Sequence, residues 1–354
     1  MDISKSLSLC MIAKNEEDFL DTALDSARRV LGDLEIIVAD TGSVDKTVEI
    51  AKAHGAKVYD FKWCDDFSAA RNFSISKASN DWILYIDADE EVLEVDFDEL
   101  AAFMKDPYCV GAVTRVELTD NITRHESRMF NRKYHHMTGS IHEQVTPIGK
   151  REKKVKNLSL LLAHHGYLPE FDRVELKLKR NEKLLLAELE LTPDDSYILY
   201  QLGKSYFCNE RDLAKACDYF ARALSGNPNR SLEYVYDTVE CYGYALINTE
   251  QYKEALDFVI KNAKYYADRP QYRFLSAHVL QNNGIFVEAV EAYQSCIGAD
   301  IIDFSGITSY LSYYNIGVIL ECIEMTEDAI EMYKNCGDYE PAVLRLAELT
   351  TSEH

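Results

Sequence analysis

The sequence predicts an α/β amino-terminal region built on a mixed, mostly parallel sheet, followed by an all-α solenoid of helical repeats. Three observations predict it. Short apolar runs alternate with segments of helical spacing over residues 6–89, the β-α-β order of an open parallel sheet with right-handed crossovers. One such run, Trp82-Ile83-Leu84-Tyr85-Ile86, stops abruptly in Asp87-Ala88-Asp89 and two glutamates. A buried strand does this where its carboxyl end delivers polar groups to a ligand crevice. Beyond residue 195, small and large residues recur at the internal spacing of a repeat of about 34 residues.

Residues 6–13 (SLSLCMIA) read as the first strand, and residues 14–17 as a polar break. From Glu16 to Val30, apolar residues fall at Phe19, Leu20, Ala23, Leu24 and Ala27, which is helical spacing. Residues 34–39 form a second buried strand that ends in Asp40-Thr41-Gly42-Ser43. A helix over 45–54 is expected next, capped by Ser43 or Asp45 and stopped by Gly55. Residues 57–59 are a short strand, and 66–78 a helix carrying Phe67, Ala70, Arg71 and Asn72. The pattern changes at Val110: residues 110–118 and 127–131 read as the antiparallel part of the sheet. The basic run 150–156 (KREKKVK) reads as a solvated hairpin loop in preference to a phosphate site. Residues 172–191 are a long helix, closed by Thr192-Pro193-Asp194-Asp195. The expected organisation is a sheet domain over 1–170, a linker helix over 171–195 and a repeat domain over 196–354.

The 354 residues suffice for two or three cores. A formal net charge of −22 argues against nucleic acid and anionic membrane as main partners. Nine scattered cysteines with no C-x-x-C pair read as reduced thiols. No secretory leader and no apolar run of transmembrane length are visible, so the expected compartment is the cytoplasm.

Asp87 and Asp89 are two apart, so on an extended backbone they would point to the same side. Two adjacent carboxylates repel, and one pKa rises unless a cation lies between them. A divalent ion shared with substrate phosphates removes the conflict; the bland reading is an acidic turn with no ligand. No glycine-rich phosphate cradle is present, neither G-x-G-x-x-G after the first strand nor G-x-x-x-x-G-K-[ST] anywhere. Asp40, Arg71, Asp87 and Asp89 stand in its place, which fits phosphate handled by a metal ion.

Four ordered blocks carry a resemblance: SLCMIAKNE (8–16), IIVADTGSVDKT (36–47), FSAARN (67–72) and DWILYIDADE (81–90). They resemble the GT-A-fold glycosyltransferases of family 2, inverting enzymes that use nucleotide sugars. The resemblance implies that Asp40 and Arg71 contact the nucleotide, with uracil the expected base, and that Ala13 lies against that base through its backbone. It implies that Asp87 holds the ribose side and that Asp89 binds Mn2+ or Mg2+ bridging the diphosphate. The bland readings are a turn cap for Asp40 and a surface or ion-paired arginine for Arg71. Glu16, Glu17, Glu90 and Glu91 are read as solvated or capping charges.

Inverting transfer needs a general base to deprotonate the acceptor, commonly a carboxylate. Six of the nine histidines fall at positions 125, 135, 136, 142, 164 and 165, and Glu143 sits among them as the candidate base. The order Arg128-Met129-Phe130, His142-Glu143, His164-His165-Gly166-Tyr167 looks similar to that of transferases that pair this fold with tetratricopeptide repeats, the sublancin-type peptide S-glycosyltransferases among them. That comparison implies that His164 completes the metal shell and Arg128 faces the sugar or diphosphate. His142 would orient Glu143 or touch the acceptor, the bland alternative being a structural histidine; His135 and His136 are read as surface residues.

The repeats are Gly203, Tyr206, Ala216, Phe220, Ala223, Pro228; Gly243, Leu246, Ala255, Val259; Ala277, Leu280, Ala289, Tyr293; and Gly317, Leu320, Ala329, Tyr333, Pro341, with a closing helix over 341–349. Such stacks bind extended chains or self-associate. Of the dense tyrosines between 197 and 272, most are expected in the repeat core. The expectation for the whole chain is a metal-dependent transferase moving sugar from a nucleotide-diphosphate sugar, a UDP-sugar first, to a peptide or protein. Lipopolysaccharide-core or surface-polysaccharide synthesis is the alternative, and a repeat scaffold with a non-catalytic sheet domain is the rival of another class.

Overall fold

The computed structural model describes residues 3–117, 123–165, 174–208, 211–299 and 306–351. It divides into two compact units, Met1–Leu185 and Leu186–His354. Gly166 and Tyr167 of the expected histidine motif lie outside the described residues.

The first unit is a mixed eight-stranded sheet in the order β3-β2-β1-β4-β7-β6-β10-β5. Its parallel half comprises β1 (Leu7–Ala13), β2 (Glu35–Asp40), β3 (Lys57–Asp60) and β4 (Trp82–Tyr85). Of these, β1, β2 and β4 are buried on both faces, which explains their continuous apolar runs. The connecting helices are α1 (Leu20–Leu31), α2 (Thr47–Ala53) and α3 (Phe67–Lys77). The second half adds β5 (Glu90–Val95), α4 (Phe97–Phe103), β6 (Cys109–Glu117), β7 (Thr123–Asn131) and β10 (Lys154–His164). β7 runs antiparallel to both β4 and β6, as expected, and β10 lies between β6 and β5. A small hairpin of β8 (His135–Thr138) and β9 (Gln144–Pro147) stands apart from the large sheet.

Three local expectations are corrected. α1 begins at Leu20 and not at Glu16, because the Glu16 and Glu17 amides bond instead to Thr47 Oγ1 (2.7 Å) and Asp45 Oδ2 (3.2 Å). α2 begins at Thr47 after Lys46, so neither Ser43 nor Asp45 is its N-cap, although Asp45 Oδ1 still accepts the Thr47 amide (3.0 Å). The basic run 150–156 is largely exposed but only half loop, since β10 starts at Lys154.

Among the described residues of the second unit, four helix pairs follow α5 (Val174–Leu191), whose last turns belong to this unit. They are α6 (Ser196–Phe207) with α7 (Leu213–Ser225), α8 (Glu233–Asn248) with α9 (Tyr252–Tyr266), α10 (Pro270–Asn282) with α11 (Phe286–Gln294), and α12 (Tyr310–Cys322) with α13 (Thr326–Lys334). α14 (Glu340–Thr351) packs on α13. Ala216, Ala255, Ala289 and Ala329 are fully buried, one per pair. Glycine at 203 and 317 allows an aromatic ring to press on the helix backbone: a methyl group added there would meet Phe220 or Tyr333 carbons at 2.6 Å. Six of the twelve tyrosines between 197 and 272 are buried, while Tyr265 is exposed.

Candidate active site

The carboxyl ends of β1 and β2 are stitched together. Thr41 donates its amide (2.9 Å) and hydroxyl (3.1 Å) to the Ala13 carbonyl. The Asn15 amide donates to Ser43 Oγ (3.0 Å), and Asn15 Oδ1 accepts from the Val44 amide (2.9 Å). Asp40 is buried beside Ala13 in register, and its carboxylate accepts the Gly42 and Ser43 amides at 3.1–3.2 Å. The turn-capping reading of Asp40 is therefore realised, on a carboxylate fixed at the sheet's carboxyl edge.

Asp87 and Asp89 meet different partners. β4 ends at Tyr85, and the chain turns so that the Glu90 amide donates to the Asp87 carbonyl (3.1 Å) while Glu90 Oε2 accepts the Asp87 amide (2.8 Å). The turn breaks the extended geometry that same-side pointing requires. Asp87 then faces two arginines, Arg71 Nη2 at 2.7 Å and Arg128 Nη2 at 3.2 Å. Burial pushes its pKa up, but these two guanidiniums hold it well below the usual carboxylate range. Arg71, on α3, also donates through Nε to Glu143. Arg128, on β7, also reaches Glu90 (2.7 Å) and Glu126 (2.8 Å). Both guanidiniums lie over the Tyr85 ring, 4.8 and 4.9 Å from its centroid. Glu90 is fully buried and not solvated, and burial raises its pKa to about 7. Asp87 repels both Asp89 and Glu90, and only at Glu90 does burial leave the net shift upward.

Burying arginines is costly unless carboxylates surround them. Here Glu143 and Asp87 more than reverse the lowering effect of burial on Arg71, and Glu90 and Asp87 do so for Arg128. Two donors stay unused: Arg71 Nη1 and Arg128 Nε are buried with no hydrogen-bond partner among the described residues.

Asp89 faces a different set. His164, at the end of β10, brings Nε2 to 3.4 Å from Asp89 Oδ2, and Lys177 Nζ of α5 lies 3.8 Å from the same oxygen. Burial raises the Asp89 pKa, and His164 with Lys177 outweighs it. The His165 amide donates to the Asp89 carbonyl (2.9 Å), and its ring lies 3.3 Å from Glu91. His142 is exposed, with φ of 50°, in the loop that carries Glu143. His135 is buried, contrary to expectation, with Nδ1 3.3 Å from the Asn131 carbonyl; His136 is exposed as expected.

The fold therefore brings Arg71, Asp87, Arg128 and Glu143 into one charged cluster and pairs Asp89 with His164. Sequence reasoning missed Tyr85, Glu90, Glu126 and Lys177. Lys177 had a readable signal, the three-residue spacing of Lys177, Arg180 and Lys183 on one helix. Among the described residues, no helix is long and apolar enough to cross a membrane.

Comparison with known proteins finds a family match over the sheet unit. The model described as glycosyl transferase family 2 matches residues 8–167. A TPR repeat-containing protein of Synechococcus elongatus is 31% identical over 245 residues, covering 64% of this chain and 59% of that protein. The SPbeta prophage-derived glycosyltransferase SunS of Bacillus subtilis is 29% identical over 229 residues, covering 61% of this chain and 52% of SunS. The matches thus span between half and three fifths of these relatives' own lengths. A solved structure of YrrB, described as a TPR protein with an unusual peptide-binding site, aligns with 49% of this chain and 86% of its own at a TM-score of 0.41 and 24% identity.

Proposed function

From the glycosyl transferase family 2 domain carried by residues 8–167, we propose that the chain is a metal-dependent, inverting glycosyltransferase that takes a UDP-sugar and glycosylates a peptide or protein. The observation that carries this reading is the division of labour in the acidic turn: Asp87 is neutralised by Arg71 and Arg128, while Asp89 faces His164. One carboxylate has its charge balanced by the protein, and the other is available to a cation.

The donor set at Asp89 fits a divalent ion. A carboxylate oxygen and an imidazole nitrogen lie 3.4 Å apart, both largely buried. No group of three His, Cys, Asp or Glu side chains suited to a metal occurs among the described residues. Such an ion would be held by Asp89 and His164 together with diphosphate oxygens, as hard cations commonly are at phosphate sites. Bound there, it would supply charge stabilisation to the departing diphosphate.

The chain's own groups supply the rest. Asp40 and the Ala13 backbone would hold the base and ribose at the β1–β2 edge. Arg71 Nη1 would donate to the nucleotide, and Asp87 would take the ribose side. Arg128, through Nε, would face the sugar or diphosphate. Glu143, held by Arg71, would accept the acceptor's proton, and His142 would touch the acceptor from the same loop. Helical repeats suit an extended polypeptide acceptor.

The test is Asp89→Asn, assayed for donor hydrolysis and transfer with manganese present. Turnover should fall by about 100-fold or more, the loss expected when charge stabilisation of a leaving group is removed. Wild-type activity in that variant would overturn the assignment.

A further inference from the structure

The first twelve residues of α5 belong to the sheet unit, and their basic residues line up. Lys177, Arg180 and Lys183 recur every third residue, so they share one side of the helix. Lys177 Nζ is 3.8 Å from Asp89 Oδ2. The Arg180 guanidinium lies over the Phe67 ring, 4.9 Å from its centroid. The Glu16 and Glu143 carboxylates lie near enough to act on its charge. Lys183 Nζ is 2.9 Å from Asp65 Oδ2. Phe67 is itself tied to the candidate-base loop, its amide donating to the Ser140 carbonyl at 2.8 Å. One helix edge therefore follows the rim of the site, from the end of β4 past Glu143 to the start of α3.

Charge balance gives this edge a purpose. The chain carries a net −22, and the two buried arginines of the site are already surrounded by Asp87, Glu90, Glu126 and Glu143. A diphosphate entering such a pocket needs further cations. Among the described residues, the hydrogen bonds of Arg180 go to the neighbouring Asn181 side chain alone (3.1 and 3.3 Å), and the residue is exposed. Lys177 meets Asp89 beyond hydrogen-bond length. Arg180 can turn to an anion arriving beside Asp89 at little cost, and Lys177 already stands next to that carboxylate.

We propose that Lys177 and Arg180 bind the diphosphate of the donor and the nucleoside diphosphate it leaves behind, with Phe67 positioning Arg180; this rests on the transferase reading. In the transfer, a lone pair of the acceptor oxygen or sulfur forms the new bond to the anomeric carbon. The bond from that carbon to the terminal phosphate oxygen breaks, and its electron pair stays on the oxygen. The acceptor proton passes to Glu143. The departing diphosphate holds one more negative charge than it did in the donor, and Lys177 and Arg180 meet that charge. Their contacts strengthen as the bond breaks, which is where a cation accelerates the step.

The test compares uridine diphosphate with uridine, titrated into the full chain at fixed manganese. K177Q and R180Q should each weaken uridine diphosphate by about tenfold, the effect of removing one charge-assisted hydrogen bond to phosphate, and leave uridine unchanged. R180K should recover only part, because lysine keeps the charge but not the flat stacking on Phe67. Phe67→Leu should weaken uridine diphosphate with Arg180 intact. An unchanged ratio of the two affinities in the K177Q/R180Q double variant overturns this inference alone. A wild-type chain that binds no nucleoside diphosphate overturns the transferase reading, and this inference with it.

Discussion

The two units bury different things. Asp40, Arg71, Glu90, Arg128 and His164 lie within the sheet unit at no more than 7% exposure. Among the described residues of the repeat unit, the buried polar side chains are Thr238, Asn262 and Ser312, none of them charged. Its polar trio of Tyr200, Lys204 and Asp237 keeps about a third of the Lys204 and Asp237 side chains in water. Burying charge costs stability, and a fold gains nothing by it in packing alone. The contrast marks the sheet unit as the one built around buried charge, and the repeat unit as one shaped by the fit of rings against small residues.

The sharpest way to break that contrast is to remove a buried cation. Arg128→Met leaves Glu90 only its longer pair with Arg115 (3.6 Å) and takes away one of the two arginines facing Asp87. The expected loss is about 3–5 kcal/mol, the cost of an uncompensated buried charge. Both tryptophans, Trp63 and Trp82, belong to the sheet unit, so a urea titration followed by their fluorescence reads this loss directly. A shift below about 1 kcal/mol, close to the range of ordinary surface substitutions, would mean that the cluster is solvated and the contrast is false.

The mirror experiment adds one methyl group to the repeat unit. In Gly203→Ala the new Cβ meets two Phe220 ring carbons at 2.6 Å. Overpacking costs about 1–3 kcal/mol, of which helix propensity returns at most about 1 kcal/mol. Hydrogen exchange should lose protection in α6 and α7 and keep it in α12 and α13. Uniform loss along the repeats would show that the ring-on-glycine fit is not local.

The same contrast explains what was legible in the sequence. The parallel strands were readable because burial on both faces leaves them nearly all apolar, as in LSLCMIA and WILY. The start of α3 was readable because Asp66 caps it, accepting the Ala69 amide. Repeat positions were readable because a small residue recurs against a large one, as Gly203 against Phe220 and Gly317 against Tyr333. The edge strand β5, EEVLEV, was missed: its Val92 is fully buried, but its three glutamates give it the composition of a loop. The charged cluster was legible as residue types and not as pairs. Arg71 meets Glu143 across 72 positions, and Arg128 meets Glu90 across 38. No local pattern announces partners at that distance. The turn after β4 was also hidden, because two residues of separation predict a shared side only while the backbone stays extended.

The smallest effect tests whether the sheet unit's charges matter only when buried. Glu35 sits at the other end of β2 from Asp40, bonded to Lys57 (2.7 Å), Ser8 (2.6 Å) and the Ser79 amide (2.7 Å). Burial pushes its pKa up, but these three partners lower it from an ordinary 4.5 to about 2. A folded-state pKa below the unfolded one means the unfolded chain binds more protons between the two values, so the carboxylate stabilises the fold above the unfolded pKa. That stabilisation is complete above about pH 5 and disappears as the pH falls through 2. The Lys57 end is exposed, so solvent screening reduces the gain to about 0.5–1 kcal/mol. Glu35→Gln should lower the tryptophan-detected stability by that amount at pH 7, and the two proteins should converge by pH 2. A gap that persists at low pH would mean that the carboxylate's shape, and not its charge, ties β1, β2 and β3 together there, and the charge-based account of this unit would shrink to the Arg71–Arg128 cluster.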